Sequence, residues 1–502
     1  MNKITLGRYA ETRCRFSLPH KALTTAVYVV GSPGMGKSTL LGNLCEQFCA
    51  SGDGVILMDL KGDLARDIAH RSRHPERIVY VQPGIIRFAD GERVWTLNPF
   101  AGHRSRPDAI GQIATNVLES FDRMGRTELS IMANIRQSLA HAIRLALTTS
   151  EPTLLDLLLI VVDQSYRQEL LRRARALNHV SRRFWTDLDD PKLPARERRG
   201  QLNTTRNRLE ALLMDRDINL FVGNYESTLK IKGWLDEGRM ILIDLGLPLP
   251  RGIGIDIGNV IMAQLITEIF LRGETNKART WRVVVDEFHE FVGDNFATII
   301  TEARSYNVFP VVAHQDRSQI DRIPGRTLRS AVGHAGVQVL MASSPEDRVA
   351  YASLYGRDKA DLVLGLDRFK ASVSIIDGLA GHRQSEILVL DDWWGDPIPG
   401  QLAGLQQAAH AHTLPKREVV TVNNGRYWDR LDAIGARPQP GASDARSRPQ
   451  QPIPPKRKQA PPGPRPPQSP PRPAPAARND PALDADTDVA RPASLLDGPP
   501  DL

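Results

Sequence analysis

Short apolar runs alternate with helical patterns in the first hundred residues of the chain and again beyond residue 236. The apolar runs typical of buried strands are residues 26–30 (AVYVV), 54–60 (GVILMDL), 78–82 (IVYVQ), 239–245, 282–285, 308–313 and 337–341. Helical spacing of apolar residues follows several of them, notably over 258–271 and 295–305. Strands that alternate with helices predict an α/β fold, in which a mostly parallel sheet carries helices on both faces.

The pattern changes between residues 104 and 235, where strand-like runs give way to helical periodicity. Apolar residues recur at helical spacing over 110–121, 130–146 and 166–177, and the run Leu154–Val162 predicts a buried helix. We therefore predict one α/β domain made of residues 1–103 and 236–415. An all-helical insertion at 104–235 interrupts it, and a short connecting segment, 416–436, follows it.

Residues 437–502 have a composition of their own. Of the 36 prolines in the chain, 19 follow Arg437, in a stretch without the apolar residues that a core needs. Ten Lys and Arg stand there against seven Asp and Glu, so the body of the protein holds only part of the formal charge of +7. We predict a disordered, proline-rich tail that serves as a flexible tether or docking arm, or simply as a solubilising tail.

Composition also excludes several classes of protein. Cys14, Cys45 and Cys49 are too few for a disulfide framework and do not have zinc-type spacing, so Cys45 and Cys49 are expected in the core. The polar start has no secretion signal, and no run approaches the ~18 apolar residues of a membrane span. We expect a cytoplasmic protein whose membrane contact, at the inner face, is made through a partner.

A glycine-rich turn follows the first predicted strand and precedes a helix that is predicted to begin near Lys37. The sequence matches G-x-x-x-x-G-K-[ST], in which backbone N–H groups and the helix N-terminus face phosphate oxygens. Lys37 would reach the β- and γ-phosphates, Ser38 would bind Mg²⁺, and Thr39 would lie near the α-phosphate. The candidate ATP-binding residues are Gly31, Ser32, Pro33, Gly34, Met35, Gly36, Lys37, Ser38 and Thr39. A chance glycine-rich turn is the alternative.

A pair of acidic residues ends the strand at 282–285. Asp286 would hold Mg²⁺ through water, and Glu287 would orient and activate the water that attacks the phosphate. The pair favours the hydrolytic branch of P-loop proteins, a P-loop NTPase of the RecA/ASCE type, over simple kinases. Asp244 is a second candidate aspartate at a strand end, but it has no glutamate beside it.

The strand at 308–313 ends in two polar residues and follows an arginine. Gln315 is predicted to sense the γ-phosphate, because its strand is expected beside the aspartate strand, whereas His314 is expected only to pack there. Arg304 either caps the preceding helix or reaches the nucleotide of a neighbouring subunit in a ring.

These motifs, in this order, resemble the FtsK/HerA superfamily of ring-forming motor ATPases, and most of all the conjugative coupling proteins of type IV secretion. Asp59-Leu-Lys61-Gly62-Asp63 is similar to the family's D-P-K-G-D, and Leu97-Asn98-Pro99-Phe100 to its N-P-[LF] element. Glu302-Ala-Arg304-Ser-Tyr-Asn, followed by a strand and Gln315, is similar to its arginine-then-glutamine segment. The resemblance implies a homo-hexamer that pumps DNA through a central channel, with Arg304 acting in trans.

The chain differs from the family in one respect, and the resemblance leaves the partners of the protein open. Membrane-anchored coupling proteins carry N-terminal transmembrane helices, whereas this chain starts almost directly with the ATPase domain. Either a separate protein, among relaxosome or secretion components, provides the anchor, or the chain handles DNA elsewhere. Two other functions stay open, a HerA-like motor in DNA repair or end processing and an ATP-controlled scaffold with slow hydrolysis.

A basic segment in the helical insertion is the candidate DNA contact. Residues 166–216 carry 13 Lys and Arg against seven Asp and Glu, and Arg196, Arg198 and Arg199 form its densest cluster. Solvated helix faces with ion pairs such as Glu169–Arg173 explain the same charges equally well.

Overall fold

The computed structural model describes residues 3–101, 110–123, 129–272, 279–291, 299–321, 327–376, 383–393 and 395–432. The predicted proline-rich tail lies outside these residues. Fourteen strands are present in the described ranges. They are β1 (Lys3–Tyr9), β2 (Arg15–Pro19), β3 (Val27–Val30), β4 (Gly54–Asp59), β5 (Ile78–Val81), β6 (Ile85–Phe88), β7 (Gly91–Val94), β8 (Met240–Asp244), β9 (Trp281–Val285), β10 (Val308–His314), β11 (Val337–Leu340), β12 (Lys370–Ile376), β13 (Arg383–Val389) and β14 (Leu414–Pro415).

Helices cover both faces of the main sheet and fill the middle of the chain. They are α1 (Lys37–Ala50), α2 (Asp63–Arg71), α3 (Ile110–Arg123), α4 (Leu129–Ala146), α5 (Leu154–Val162), α6 (Gln164–Arg173), α7 (His179–Leu188), α8 (Ala195–Met214), α9 (Arg216–Val222), α10 (Ile231–Glu237), α11 (Arg251–Arg272), α12 (Ser318–Asp321), α13 (Thr327–Gly333), α14 (Asp347–Tyr355), α15 (Arg357–Leu364), α16 (Gln401–Ala408) and α17 (Lys416–Asp432).

The main sheet has eleven strands in the order β2-β1-β13-β12-β11-β3-β10-β9-β4-β8-β5. All pairings from β11 to β5 are parallel, as the alternation of strands and helices predicts. The residues of β3, β4, β8 and β9 are all buried, because helices cover both faces of a parallel sheet. The fold is therefore the predicted α/β class, and the carboxyl ends of β3, β4, β9 and β10 lie at one edge.

Four antiparallel strands extend this sheet beyond β11, and the sequence pattern did not reveal them. The hairpin β1–β2 and the pair β12–β13 alternate polar and apolar residues, as in KASVSII and RQSEILV. Such a pattern is weaker than a continuous apolar run, because only one face of the strand is buried. A second, three-stranded sheet of β14, β7 and β6 was also not predicted.

The helical insertion shares its core with the sheet. Residues from α3 to α11 belong to the same buried cluster as one face of the sheet, and the Asn116 amide of α3 donates to the Thr267 hydroxyl of α11 over 2.7 Å. The helix predicted over 166–177 ends at Arg173, because the guanidinium of Arg182 donates to the carbonyls of Leu171 and Ala174 there. The division into domains stays a prediction.

Two further segments differ from a simple reading of the sequence. The predicted connecting segment forms α17, whose Val419 packs against Val94 and Leu220. The predicted helix at 295–305 lies partly outside the described residues, and its end is a 3-10 helix at Ala303–Tyr306.

Within the described ranges, one helix, α11, is long and apolar enough to cross a membrane by length and composition. In the fold, however, 72% of its most apolar window is buried. Residues along α11 such as Ile261 and Leu265 are fully covered by neighbouring elements. The helix therefore packs as part of the protein core.

Candidate nucleotide-binding and hydrolysis site

The glycine-rich turn lies between the carboxyl end of β3 and the start of α1. Gly34 and Gly36 have φ of 81° and 104°, which other residues rarely adopt. A side chain on Gly36 would also meet the Phe369 ring, with its Cβ 2.9 Å from Cδ1. The Lys37 ammonium turns back over the loop and donates to the carbonyl of Gly31 over 2.5 Å. The loop is therefore held in the curved form that places backbone N–H groups around a phosphate.

A cavity of about 320 Å³ opens above this loop. It is lined by residues of the loop and the start of α1, of the segments that follow β4 and β9, and of the turn before β12, namely Pro33, Gly34, Gly36, Lys37, Ser38, Thr39, Asp59, Lys61, Asp63, Leu64, Asp286, Glu287, Arg368 and Phe369. Burial lowers the pKa of Lys37, and the nearby Asp286 and Glu287 carboxylates oppose that effect. The fold thus brings the phosphate loop and the acidic pair together, although about 250 residues separate them in sequence.

Asp286 follows β9 and lies almost fully buried at the cavity wall, with 6% of its surface exposed. Burial raises its pKa to about 7, and the neighbouring carboxylates of Asp59 and Glu287 add to the effect. A nearby cation would favour the charged form. The Ser38 hydroxyl lines the same cavity, so the two residues supply the hard oxygen ligands that Mg²⁺ prefers. They fit the predicted metal site.

Glu287 has a left-handed backbone with φ of 51°, which is uncommon for a residue other than glycine. Its Oε1 accepts hydrogen bonds from the Lys61 ammonium at 2.7 Å and from the Gln315 amide. Burial raises the pKa of Glu287, but the two hydrogen bonds, together with the charges of Lys61 and His289, lower the pKa overall. Glu287 is thus held as a carboxylate at the edge of the cavity.

The two polar residues after β10 have different surroundings. Gln315 reaches Glu287 because β10 pairs with β9, which places the two strand ends side by side. His314 is fully buried between the Tyr28 hydroxyl and the Asp316 carbonyl, and burial lowers its pKa to about 3. The structure brings Gln315 to the site and shows His314 packed as a neutral core residue.

The second candidate aspartate, Asp244, is hydrogen-bonded to side chains outside the cavity. Its carboxylate accepts from the Tyr80 hydroxyl at 2.5 Å and from the Arg66 guanidinium at 2.9 Å. Burial raises the pKa of both Asp244 and Tyr80. Asp244 therefore anchors the sheet edge beside the site and does not line the cavity.

Arg304 is far from the cavity of its own chain. It precedes β10, whereas Gln315 follows β10, and a strand of seven residues spans about 23 Å. The side chain of Arg304 is exposed at the opposite edge of the sheet. Within one chain it cannot contact a nucleotide bound at the phosphate loop.

Sequence reasoning missed Arg368 and Phe369, which close one side of the cavity. Arg368 Nε donates to the Gly34 carbonyl over 3.2 Å, and the Phe369 N–H donates to the Met35 carbonyl. Phe369 has a φ of 60°, so the turn before β12 bends sharply over the phosphate loop. Only an arginine–aromatic pair marks this turn in the sequence, and that pattern is too common to identify a site.

The basic segment of the insertion is partly neutralised inside the fold. Arg172 and Arg173 both pair with Glu169, in line with the solvated-face interpretation. The Arg198 guanidinium donates to the carbonyls of Leu188 and Asp190 and to the Gln164 side chain, so its donors hold helices together. Arg196 is exposed, and the side chain of Arg199 lies outside the described residues.

The fold and the phosphate loop are those of a P-loop NTPase. Two regions of the chain match protein families of conjugation. Residues 12–185 match the type IV secretion-system coupling protein DNA-binding domain, and residues 280–361 match the TraM recognition site of TraD and TraG. These two regions are thus similar to parts of the coupling proteins of conjugative type IV secretion.

Solved structures share the fold at low sequence identity. The bacterial conjugative coupling protein TrwBdeltaN70, in its unbound monoclinic form, is 17% identical with a TM-score of 0.53, over 77% of this chain and 88% of that chain. The plasmid coupling protein TrwB in complex with ADP and Mg²⁺ is 19% identical with a TM-score of 0.54, over 76% and 89%. VirB4 of Thermoanaerobacter pseudethanolicus is 14% identical with a TM-score of 0.50, over 80% and 98%. No curated protein sequence matches the chain.

Proposed function

We propose that this chain is an ATP-hydrolysing DNA translocase that serves conjugative type IV secretion. The observation that carries the proposal is the meeting of Lys37, Ser38, Asp286 and Glu287 around one cavity at the carboxyl edge of the sheet. Gln315 joins them through its hydrogen bond to Glu287. The match to a coupling-protein DNA-binding domain supports DNA as the partner.

ATP with Mg²⁺ is the proposed ligand of the cavity. TrwB is known in complex with a non-hydrolysable ATP analogue and with ADP and Mg²⁺. In this chain the loop from Gly31 to Thr39 would hold the phosphates, with Lys37 at the β- and γ-phosphates. Ser38 and Asp286 would hold the metal ion, which neutralises charge on the phosphate oxygens.

Glu287 and Gln315 are the proposed hydrolytic residues. Glu287 would orient a water molecule and accept its proton as the water attacks the γ-phosphate. Gln315 bonds to Glu287 and would sense the γ-phosphate from the end of the adjacent strand.

We further propose that the active form is a hexameric ring in which Arg304 acts on the nucleotide of a neighbouring subunit. The position of Arg304 at the opposite edge of the sheet supports this role, because its own cavity is about one strand length away. An arginine supplied in trans stabilises the charge that develops on the transferring phosphoryl group.

The direct test of the function is ATP turnover by the purified full chain with and without DNA. We expect DNA of at least one form, single or double stranded, to raise kcat several-fold, because a translocase couples hydrolysis to DNA movement. The Lys37→Ala variant should lose this activity. Turnover that no DNA stimulates would contradict the translocase and favour the ATP-controlled scaffold. Capture of partners from conjugating cells distinguishes the two motor functions. A relaxase and a secretion channel as partners would support conjugation, whereas a nuclease would support DNA repair or end processing.

Charge reversal in the insertion tests where DNA binds. Arg175, Lys192 and Arg196 have exposed side chains without an ion pair to another residue in the described ranges. The combined change to glutamate should weaken DNA affinity about tenfold or more at low salt and reduce the salt dependence of binding. Reversal of Arg198 is unsuitable, because it would break the contacts that hold α7 to α8.

The matched control is Arg87→Glu, which reverses an arginine whose side chain is 87% exposed outside the insertion. Its DNA affinity should stay within about twofold of the wild type, because Arg87 lies outside the candidate DNA-binding segment. The fold should also be retained, since exposed charges contribute little to stability. Equal DNA affinity of the triple variant and the wild type would remove these residues from the DNA-binding surface, and solvated helix faces would then explain the charge.

A further inference from the structure

Lys61 lies in the turn after β4 and reaches the cavity from the side opposite the phosphate loop. Its ammonium lies 2.7 Å from Glu287 Oε1, and 45% of its side-chain surface is exposed. Glu287 is only 3% exposed at the same contact. Lys61 therefore stands between the buried carboxylate and the open space of the cavity that it shares with Lys37 and Ser38.

The backbone of this turn is fixed by several contacts. The Asp59 carboxylate accepts the N–H of Lys61 at 3.0 Å and that of Ala65 at 2.9 Å. Gly62 has a φ of 79°, and a side chain there would collide with Asp244. A side chain on Gly246 would likewise collide with the Lys61 carbonyl. These contacts fix the backbone of the turn, and with it the point from which the Lys61 side chain extends toward Glu287.

Glu287 uses only one of its two oxygens in this contact. Lys61 and Gln315 both donate to Oε1. Oε2 is buried and accepts no hydrogen bond from another described residue, and its closest ionic neighbour is His289 Nδ1 at 3.8 Å. The two donors thus fix the carboxylate through Oε1 alone, and Oε2 keeps its capacity to accept a hydrogen bond.

The ammonium of Lys61 has more donors than this contact uses. A lysine offers three N–H groups, and among the described residues Glu287 is its hydrogen-bond acceptor. Lys61 lines the cavity together with two other cations, Lys37 and Arg368, and with the carboxylates of Asp59, Asp63, Asp286 and Glu287. The three cations suit the phosphate groups of a polyphosphate, which carries several negative charges.

We propose that Lys61 binds the terminal phosphate of ATP with the donors that Glu287 does not use, and so connects that phosphate to the carboxylate of Glu287. This inference rests on the proposed ATPase function and adds a residue to it. ADP lacks the terminal phosphate, so Lys61 should contribute to the binding of ATP and contribute little to the binding of ADP. One ammonium would then link recognition of the γ-phosphate to orientation of the base.

The test is the Lys61→Met variant, which keeps the length of the side chain and removes its charge. We expect the affinity of this variant for ATPγS to fall about 10- to 100-fold. The affinity is measured in the presence of Mg²⁺ by equilibrium binding of a fluorescent ATPγS analogue. Its affinity for ADP should stay within about twofold. Its kcat should fall about 100-fold, and Lys61→Arg, which keeps the charge, should restore part of the preference for ATPγS over ADP.

The matched control is Lys232→Met, since Lys232 makes a comparable ion pair, 2.6 Å from Asp236, away from the cavity. It should bind both nucleotides like the wild type. Thermal unfolding of each variant shows whether the fold is retained.

Glu287→Gln tests whether Lys61 contacts the phosphate itself. Lys61→Met should still weaken ATPγS binding in that background if the contact is direct. Equal loss of ATPγS and ADP affinity, or no loss in the Glu287→Gln background, would overturn the inference. These outcomes differ from a failure of the proposed function, in which the wild type itself would not hydrolyse ATP.

Discussion

The Glu287→Gln variant should bind ATP with nearly wild-type affinity and yet hydrolyse it about 100 to 10,000 times more slowly. Glutamine keeps the size of the side chain and can still accept a hydrogen bond at one oxygen, but it cannot take a proton from water. The phosphate loop and Asp286, which would hold ATP and Mg²⁺, do not depend on the Glu287 charge for their position. Steady-state phosphate release and equilibrium binding of ATPγS measure the two effects separately.

Glu290→Gln is the matched control for this substitution. Glu290 lies three residues further along and pairs with the exposed Arg251 guanidinium at 2.8 Å, and it does not line the cavity. Its kcat should stay within about twofold of the wild type. A Glu287→Gln enzyme that retained most of its turnover would show that another group activates the water, and the assignment of the general base would be wrong.

The Arg304→Ala variant should lower kcat about 1,000-fold while nucleotide binding by the isolated subunit stays unchanged. The reason is geometric. Arg304 cannot reach the phosphate loop of its own chain across the length of β10, but it can serve the cavity of a neighbour in a ring. The substitution should therefore lower kcat, because it removes stabilisation of the transition state, and should leave the affinity for ATP unchanged.

Co-expression with Lys37→Ala distinguishes action in trans from a structural effect. At an interface where the Arg304→Ala subunit supplies the phosphate loop and the Lys37→Ala subunit supplies Arg304, both functional groups are intact. Random mixing should place this combination at about a quarter of the interfaces in a cyclic assembly. The mixture should regain activity that neither variant has alone, whereas a mixture as inactive as its components would contradict the role in trans.

The candidate site residues could be anticipated from short stretches of sequence because each lies at the end of a continuous apolar strand. The spacing of Gly31, Gly36 and Lys37 indicates a phosphate loop before any contact is known. Asp286 and Glu287 stand out because a run of buried apolar residues ends abruptly in two acids. Such local patterns can be recognised without knowledge of the fold, because the end of the strand itself positions the side chain.

Other features depend on which strands are neighbours, and a sequence pattern does not encode that directly. The approach of Gln315 to Glu287 follows from the pairing of β10 with β9. The engagement of Asp244 by Tyr80 and Arg66 follows from the pairing of β8 with β5 and its closeness to α2. These contacts separate one aspartate that lines the cavity from another that does not.

Residue types and spacing by themselves thus determined an α/β protein with a phosphate loop, an acidic pair and a helical insertion, because apolar periodicity and glycine placement act over a few residues. Only the tertiary structure decided that Lys61 and Gln315 share one oxygen of Glu287, that Arg368 and Phe369 close the cavity, and that Arg304 is a strand length away. Those relations join residues as far as 334 positions apart, and they are set by the order of strands in the sheet and by packing between distant segments.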